Sequence, residues 1–261
     1  MKGTTRCVIA IALLLAGGSA MAQINESDTA RFQMRISLTG IYQNGNVEVA
    51  TIRSKADVLY APTKHLVFKS QNVSLYQAFY SNKADNDVFS RNYLYFHPRN
   101  KIYPFAIGYL SGNFRRKIDL RYFAGAGATL QIRNTPAHVM KVSASVVYEA
   151  TRFNSTVYNF SEYNGADKIT LWRGTAYLGG WSYLLGRRLR FFYDAYWQPA
   201  FGNTRNYRSQ FDIGADFPVW KGCSFSMLYT YMHENVVVEK IKKDDRILTF
   251  GFAYQIKVNR N

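Results

Sequence analysis

Residues 119–132, DLRYFAGAGATLQI, constrain the fold more tightly than any other stretch. Asp119, Arg121, Phe123, Gly125, Gly127, Thr129 and Gln131 occupy one set of alternate positions. Leu120, Tyr122, Ala124, Ala126, Ala128, Leu130 and Ile132 occupy the other. A period of two sustained this long specifies a β-strand with two unlike faces. Glycine weakens a strand interior, so the two glycines on the charged face need a reason of their own.

The same period recurs along the chain. From Phe32 to Gln43, Phe32, Met34, Ile36, Leu38, Gly40 and Tyr42 oppose Gln33, Arg35, Ser37, Thr39 and Gln43. Further strands are expected at 47–60, 66–80, 88–97, 101–111, 118–133, 138–151, 168–183, 189–201, 206–219, 222–234 and 245–258. Many exceed the roughly 5–6 residues of an average strand, and lengths of about 9–11 suit a tilted membrane crossing. Connections near 61–65, 98–100, 134–137, 184–188 and 218–222 are short, and most carry proline. Those at 81–87, 111–117, 152–167 and 235–244 are longer and more polar. Short turns at one end and longer loops at the other are the asymmetry of an outer-membrane barrel.

The start of the chain gives its destination. Lys2 and Arg6 precede an apolar run from Val8 to Ala16, and Ala20-Met21-Ala22 offers a cleavage site. Residues 1–22 therefore read as a Sec-type signal peptide, followed by one domain over 23–261. Cys223 is the one cysteine after that segment, so no intramolecular disulfide supports the fold. No later apolar run reaches the ~18 residues of a membrane helix. A closed barrel is the other structure that satisfies every backbone group within a bilayer. The expected fold is thus all-β, a single antiparallel up-and-down transmembrane barrel of about twelve strands. An even strand number places both termini in the periplasm.

The polar face settles which side meets lipid. It is not a Lys/Glu surface; Ser, Thr, Gln and Gly are interspersed with isolated charges. The opposite face is Ala, Val, Ile, Leu and Phe, with Tyr60, Tyr148, Trp197 and Phe217 near strand ends, as in a lipid band with aromatic girdles. The expected lumen-lining residues are Arg35, Arg53, Lys55, Asp57, Asp119, Arg121, Gly125, Gly127, Lys141, Glu149, Arg173, Arg190, Asp194, Arg208, Asp212 and Asp216. Gly125 and Gly127 would leave room for long cations crossing a narrow lumen. Segments 66–80 and 88–97 fit worst, because Lys69 and Arg91 share a face with apolar residues; a bulge that shifts the register would explain them.

Three stretches resemble one family. NGNVEVATIRSKADVLY (44–60), IDLRYFAGAGATLQI (118–132) and KKDDRILTFGFAYQI (242–256) are similar, in order, to the domain of unknown function 481 family, described as salt-induced outer-membrane proteins. Thr129 stands where members often have a third glycine, and the chain ends Asn259-Arg260-Asn261 rather than on an aromatic residue. The resemblance implies an outer-membrane β-barrel and a link to salt or osmotic stress. It implies no biochemical activity.

Function is then bounded as follows. A ladder of paired charges filling a narrow or closed lumen is the plainer account of the interior charge. A narrow passive channel with anion preference is the alternative, since a ring of Arg and Lys concentrates anions. A lipid-active enzyme comes third. His65, His97 and His138 fall at short turns, and only His233 lies at an outer rim, with no serine visibly paired to it. No metal spacing appears and the glycines open no helix, so neither a cofactor nor an enzyme activity is expected. The formal net charge of +16 would suggest nucleic acid in a cytoplasmic protein, but not in an exported one. Arg115, Arg116 and Lys117 fall in an outer loop. They are either simply solvated or bind lipopolysaccharide phosphates. Outer-membrane lipid and the outer-membrane assembly machinery are the expected partners; the oligomeric state is open.

Overall fold

The computed structural model describes residues 24–45 and 48–259; the expected signal peptide lies outside them. The strands are β1 (Phe32–Gln43), β2 (Val49–Tyr60), β3 (Leu66–Phe79), β4 (Asn82–Phe96), β5 (Ile102–Asn113), β6 (Ile118–Asn134), β7 (His138–Phe153), β8 (Lys168–Leu184), β9 (Leu189–Pro199), β10 (Tyr207–Trp220), β11 (Cys223–Glu234) and β12 (Asp244–Val258). Each pairs antiparallel with its sequence neighbours. β1 closes on β12 from Phe32↔Val258 to Gly40↔Phe250, which makes a closed barrel of twelve strands among the described residues. Closure removes the exposed edges that an open sheet would carry. Helical structure among these residues amounts to two single 3₁₀ turns, at Ser161–Tyr163 and Leu185–Arg187.

The period-two pattern places its polar set inside. On β1, Leu38 is 60% exposed and its neighbour Thr39 5%. Tyr60, Tyr148, Trp197 and Phe217 all project from the outer surface. Five irregularities in strand pairing break the alternation. One carries a consequence for the lumen. Ile118 pairs with Phe153 and Leu120 with Arg152, so Asp119 is the extra residue between them. A bulged residue is released from the alternation, and Asp119 turns outward to bind Arg152 (2.5 Å) with both side chains exposed. It does not line the lumen.

Two other expectations change. Residues 82–87 are not a loop but the start of β4, joined to β3 through Tyr80-Ser81. Both turn residues have positive φ (47° and 59°), the backbone of a type I′ hairpin. The polar sequence there suggested solvent, whereas Asp85 is buried in the interior. No bulge lies at Lys69 or Arg91; the β3–β4 register runs unbroken from Leu66↔Phe96 to Gln77↔Asp85. Both side chains point inward with apolar neighbours because this part of the inner wall is itself apolar. Val67, Val73, Leu75, Tyr95, Tyr103, Phe105 and Phe123 are all buried. The interior is therefore a mixed packed core, aromatic on β4–β6 and charged elsewhere.

Candidate functional site: the charged barrel interior

Chain from outside the wall closes the short-turn end. Ile24–Ala30 precedes β1 and tucks into the barrel mouth, with Ile24, Asn25, Glu26, Ser27 and Ala30 buried. Ile24 packs with Leu59, Val67, Tyr95 and Tyr103. The Lys141 ammonium on β7 donates to Asn25 Oδ1 (2.6 Å), Glu26 Oε1 (2.9 Å) and Ser27 Oγ (3.1 Å). Tyr103 donates its hydroxyl to Glu26 (2.8 Å), and Lys69 stands 3.5 Å from the other carboxylate oxygen. Gln33 and Asn25 exchange hydrogen bonds, and Lys257 binds Asp28 at 2.8 Å. Burial alone would raise the Glu26 carboxyl, but the Lys141 and Lys69 ammoniums outweigh it and hold the group well below the usual carboxylate range.

The long-loop end is closed by a charge network under an apolar lid. Glu149 accepts a hydrogen bond from Arg173 (3.1 Å) and forms an ion pair with Arg208 (2.5 Å). Arg121 grips Glu234 with two parallel bonds of 2.6 and 2.9 Å, the bidentate arrangement that fixes both partners. Arg116 binds Asp245, and Arg115 bridges Asp245 (2.7 Å) and Asp85 (3.4 Å). Above this network the connection 154–167 meets 235–243 through a strand-like bridge between Tyr158 and Val238. Phe153, Tyr158, Ile169, Val236 and Val238 pack there with Ile118. Burial, aided by Asp167, raises the Tyr158 phenol to about 12, so it stays neutral and donates to Ala166 O (2.8 Å).

Along the lumen between these two ends runs a free space of about 160 Å³, lined by residues from Ile24 and Glu26 to His233 and Glu234. Lys55, Lys69 and Arg91 face it from one side, with Asp194 and Asp212 from the other. Lys55 pairs with Asp57 (3.3 Å), Tyr177 donates to Asp194, and Gln210 to Asp212 (3.0 Å). The Arg91 guanidinium lies 5.4 Å from the Tyr196 ring, 5.5 Å from Phe89 and 5.8 Å from Tyr109.

The residues expected in the lumen separate into three groups. Arg121, Glu149, Arg173 and Arg208 meet at the long-loop end. Arg35, Arg190 and Asp216 form a second cluster, both guanidiniums on one carboxylate. Lys55, Asp57, Asp194, Asp212 and Lys141 face inward, as does Arg53, which donates to Thr230 at 2.7 Å. Gly125 and Gly127 allow close backbone approach as well as lumen space. A Cβ on Gly125 would overlap the Val146 carbonyl oxygen, and one on Gly127 the Ala144 carbonyl oxygen. Asp119 joins none of these groups. Sequence reasoning missed Glu26, Glu234 and Asp245 as the counter-charges of the interior. Glu26 sits outside any periodic segment, and the other two occupy strand ends.

The outer-loop cations are largely occupied: Arg116 is buried, and Arg115 spans two carboxylates. At the rim, His233 shares a hydrogen bond with Asp244 (2.9 Å). Ser209 lies directly opposite His233 in the β10–β11 register, yet no hydrogen bond joins them. Among the described residues no group of three or more metal-ligating side chains assembles.

A family model described as "Protein of unknown function, DUF481" matches residues 30–256. No curated protein matches the chain in sequence. Among solved structures, the NanC porin superposes with a TM-score of 0.51 at 8% identity, over 86% of this chain and 100% of that one. The translocator domain of the autotransporter NalP from Neisseria meningitidis gives 0.46 at 13% identity, over 96% and 94%. At 8% identity the likeness to the NanC porin is one of fold alone.

Proposed function

This chain belongs to the DUF481 family, and we propose that it is an outer-membrane protein of the bacterial envelope whose barrel encloses a closed, charge-lined chamber. The observation that carries this reading is the double seal. Ile24–Ala30 fills the short-turn mouth, and the Tyr158–Val238 bridge closes the other end. In this reading the short turns and both termini face the periplasm, the long loops face outward, and the apolar outer face contacts lipid. Contact with lipopolysaccharide phosphates is left to Lys117 and the exposed part of Arg115. The assembly machinery inserts the barrel, and the association with salt or osmotic stress rests on the family resemblance alone. The reading includes no catalytic step.

A narrow anion-preferring channel is the second reading, favoured by one observation: the periplasmic seal is a chain segment held by noncovalent polar contacts. Planar-bilayer recording tests both. The wild-type protein should show no steady porin-like conductance. Deleting 24–30 should open a small conductance whose reversal potential in a salt gradient reports anion preference. A steadily open wild-type pore would overturn the closed-chamber reading.

A further inference from the structure

Among the described interior cations, Arg91 alone has neither a hydrogen bond nor an ion pair. Arg35 and Arg190 share Asp216, Arg116 and Arg121 hold Asp245 and Glu234, and Arg53 has the Thr230 hydroxyl. Arg91 projects into the cavity and meets aromatic faces instead, Tyr196 across the barrel and Phe89 and Tyr109 on its own wall. Tyr109 stacks in turn on Phe123 with centroids 4.5 Å apart. Arg91 is half-buried, with no direct hydrogen-bond or ion-pair partner and with Asp194 lining the same space, and ring faces alone compensate a guanidinium only weakly. Its planar fork is suited to two parallel bonds with a carboxylate. The walls beside it suit a flat apolar group, which would stack at offset or edge-on geometry.

Size narrows the class further. A compact apolar cavity of about 150 Å³ accommodates one benzene molecule, and the whole lumen offers about 160 Å³ of free space, which sets a single small ring as the upper limit. We propose that the sealed chamber is a binding site for a small aromatic carboxylate of benzoate size. Its carboxylate pairs with Arg91 and its ring packs against Phe89, Tyr109 and Tyr196. The site rests on the closed-chamber reading, because an open lumen would hold Arg91 in bulk water and weaken its hold on an anion.

Equilibrium dialysis of the intact protein in detergent micelles against labelled benzoate tests the site, with empty micelles as reference. Entry past the seal is slow, so Glu26→Gln, which loosens the plug, is dialysed in parallel. The expected result is one saturable site per chain. Benzyl alcohol, which lacks the charge, and acetate and chloride, which lack the ring, should compete at least tenfold less well. Arg91→Gln should weaken binding at least tenfold, and Arg91→Lys should restore part of it. Heat-modifiable gel mobility verifies that each variant is folded. If the substitutions prevent folding, competition on the wild-type protein decides alone. The site is overturned if neither wild type nor Glu26→Gln binds benzoate saturably, if acetate or chloride competes equally, or if folded Arg91→Gln binds as wild type does. Conductance tests the seal separately, so a failed site and a failed seal give different results.

Discussion

Individual side chains in this barrel differ most in whether their charge has been removed from water. Glu149 is buried, and its partners Arg173 and Arg208 are buried with it. Asp119 and Arg152 are both exposed. Removing one partner of a buried pair typically costs about 3–5 kcal/mol because the survivor is left uncompensated. An exposed pair is worth roughly 0–1 kcal/mol. Glu149→Ala should therefore lower the denaturant midpoint sharply, whereas Asp119→Ala should leave it nearly unchanged. Equal losses would mean that the bulge does not turn Asp119 outward. The glycines of β6 make the same kind of contrast through packing. At Gly125 a Cβ meets the backbone of β7, which cannot swing aside as a side chain would. Gly125→Leu should cost at least the roughly 1–3 kcal/mol of ordinary overpacking and should impair assembly. Ala126→Leu faces outward and should be nearly silent in heat-modifiable gel mobility.

At the scale of elements, the plug is the part whose strength depends on pH. Glu26 is faced by Lys69 on β3, Tyr95 on β4, Tyr103 on β5 and Lys141 on β7. Its folded-state pKa is depressed below the usual carboxylate range by the Lys141 and Lys69 ammoniums. The stabilisation is therefore fully present above the unfolded pKa, about 4.3 for glutamate. It is lost as pH falls from there towards the folded value. Acidification below about pH 4 should loosen Ile24–Ala30 ahead of the barrel, and Glu26→Gln should show the loosened state already at neutral pH. Limited proteolysis near Asp28, followed across pH, reads this directly. Cleavage independent of both pH and the substitution would remove Glu26 as the latch. The strands were legible because their two faces meet different media, and alternation records that difference residue by residue. The plug was not legible, since seven irregular residues bear no period. The remaining clue was indirect: an inward cation, Lys141, whose strand neighbours Gln131 and Gly179 offer no acid to match it. The apolar wall on β3–β6 misled for the opposite reason. There both faces are partly apolar, so alternation no longer identifies the inside, and Lys69 and Arg91 looked like register errors.

For the whole molecule, the question is how the barrel sits in its bilayer, and two perturbations answer it together. Ala126 lies near the middle of β6 with its side chain outward. Ala126→Arg places a cation near the bilayer midplane at a cost of about 2–4 kcal/mol, so folding into bilayers should suffer more than folding into detergent. Orientation follows from the asymmetry of the ends. The connection 154–167 bears exposed residues such as Thr156, while the turn between β6 and β7 exposes Pro136. Cys223, half-buried in β11, is first replaced by serine so that it contributes no background. In that chain, Thr156→Cys should react with a membrane-impermeant maleimide on intact cells. Pro136→Cys should react only after the outer membrane is permeabilised. The proposed placement of the short turns in the periplasm requires this order, because in outer-membrane barrels the short turns are periplasmic and the longer loops extracellular. The reverse labelling would invert the barrel and place the Glu26 plug at the cell surface. Equal labelling of both positions on intact cells, with Ala126→Arg folding normally in bilayers, would mean that no lipid band separates the two ends.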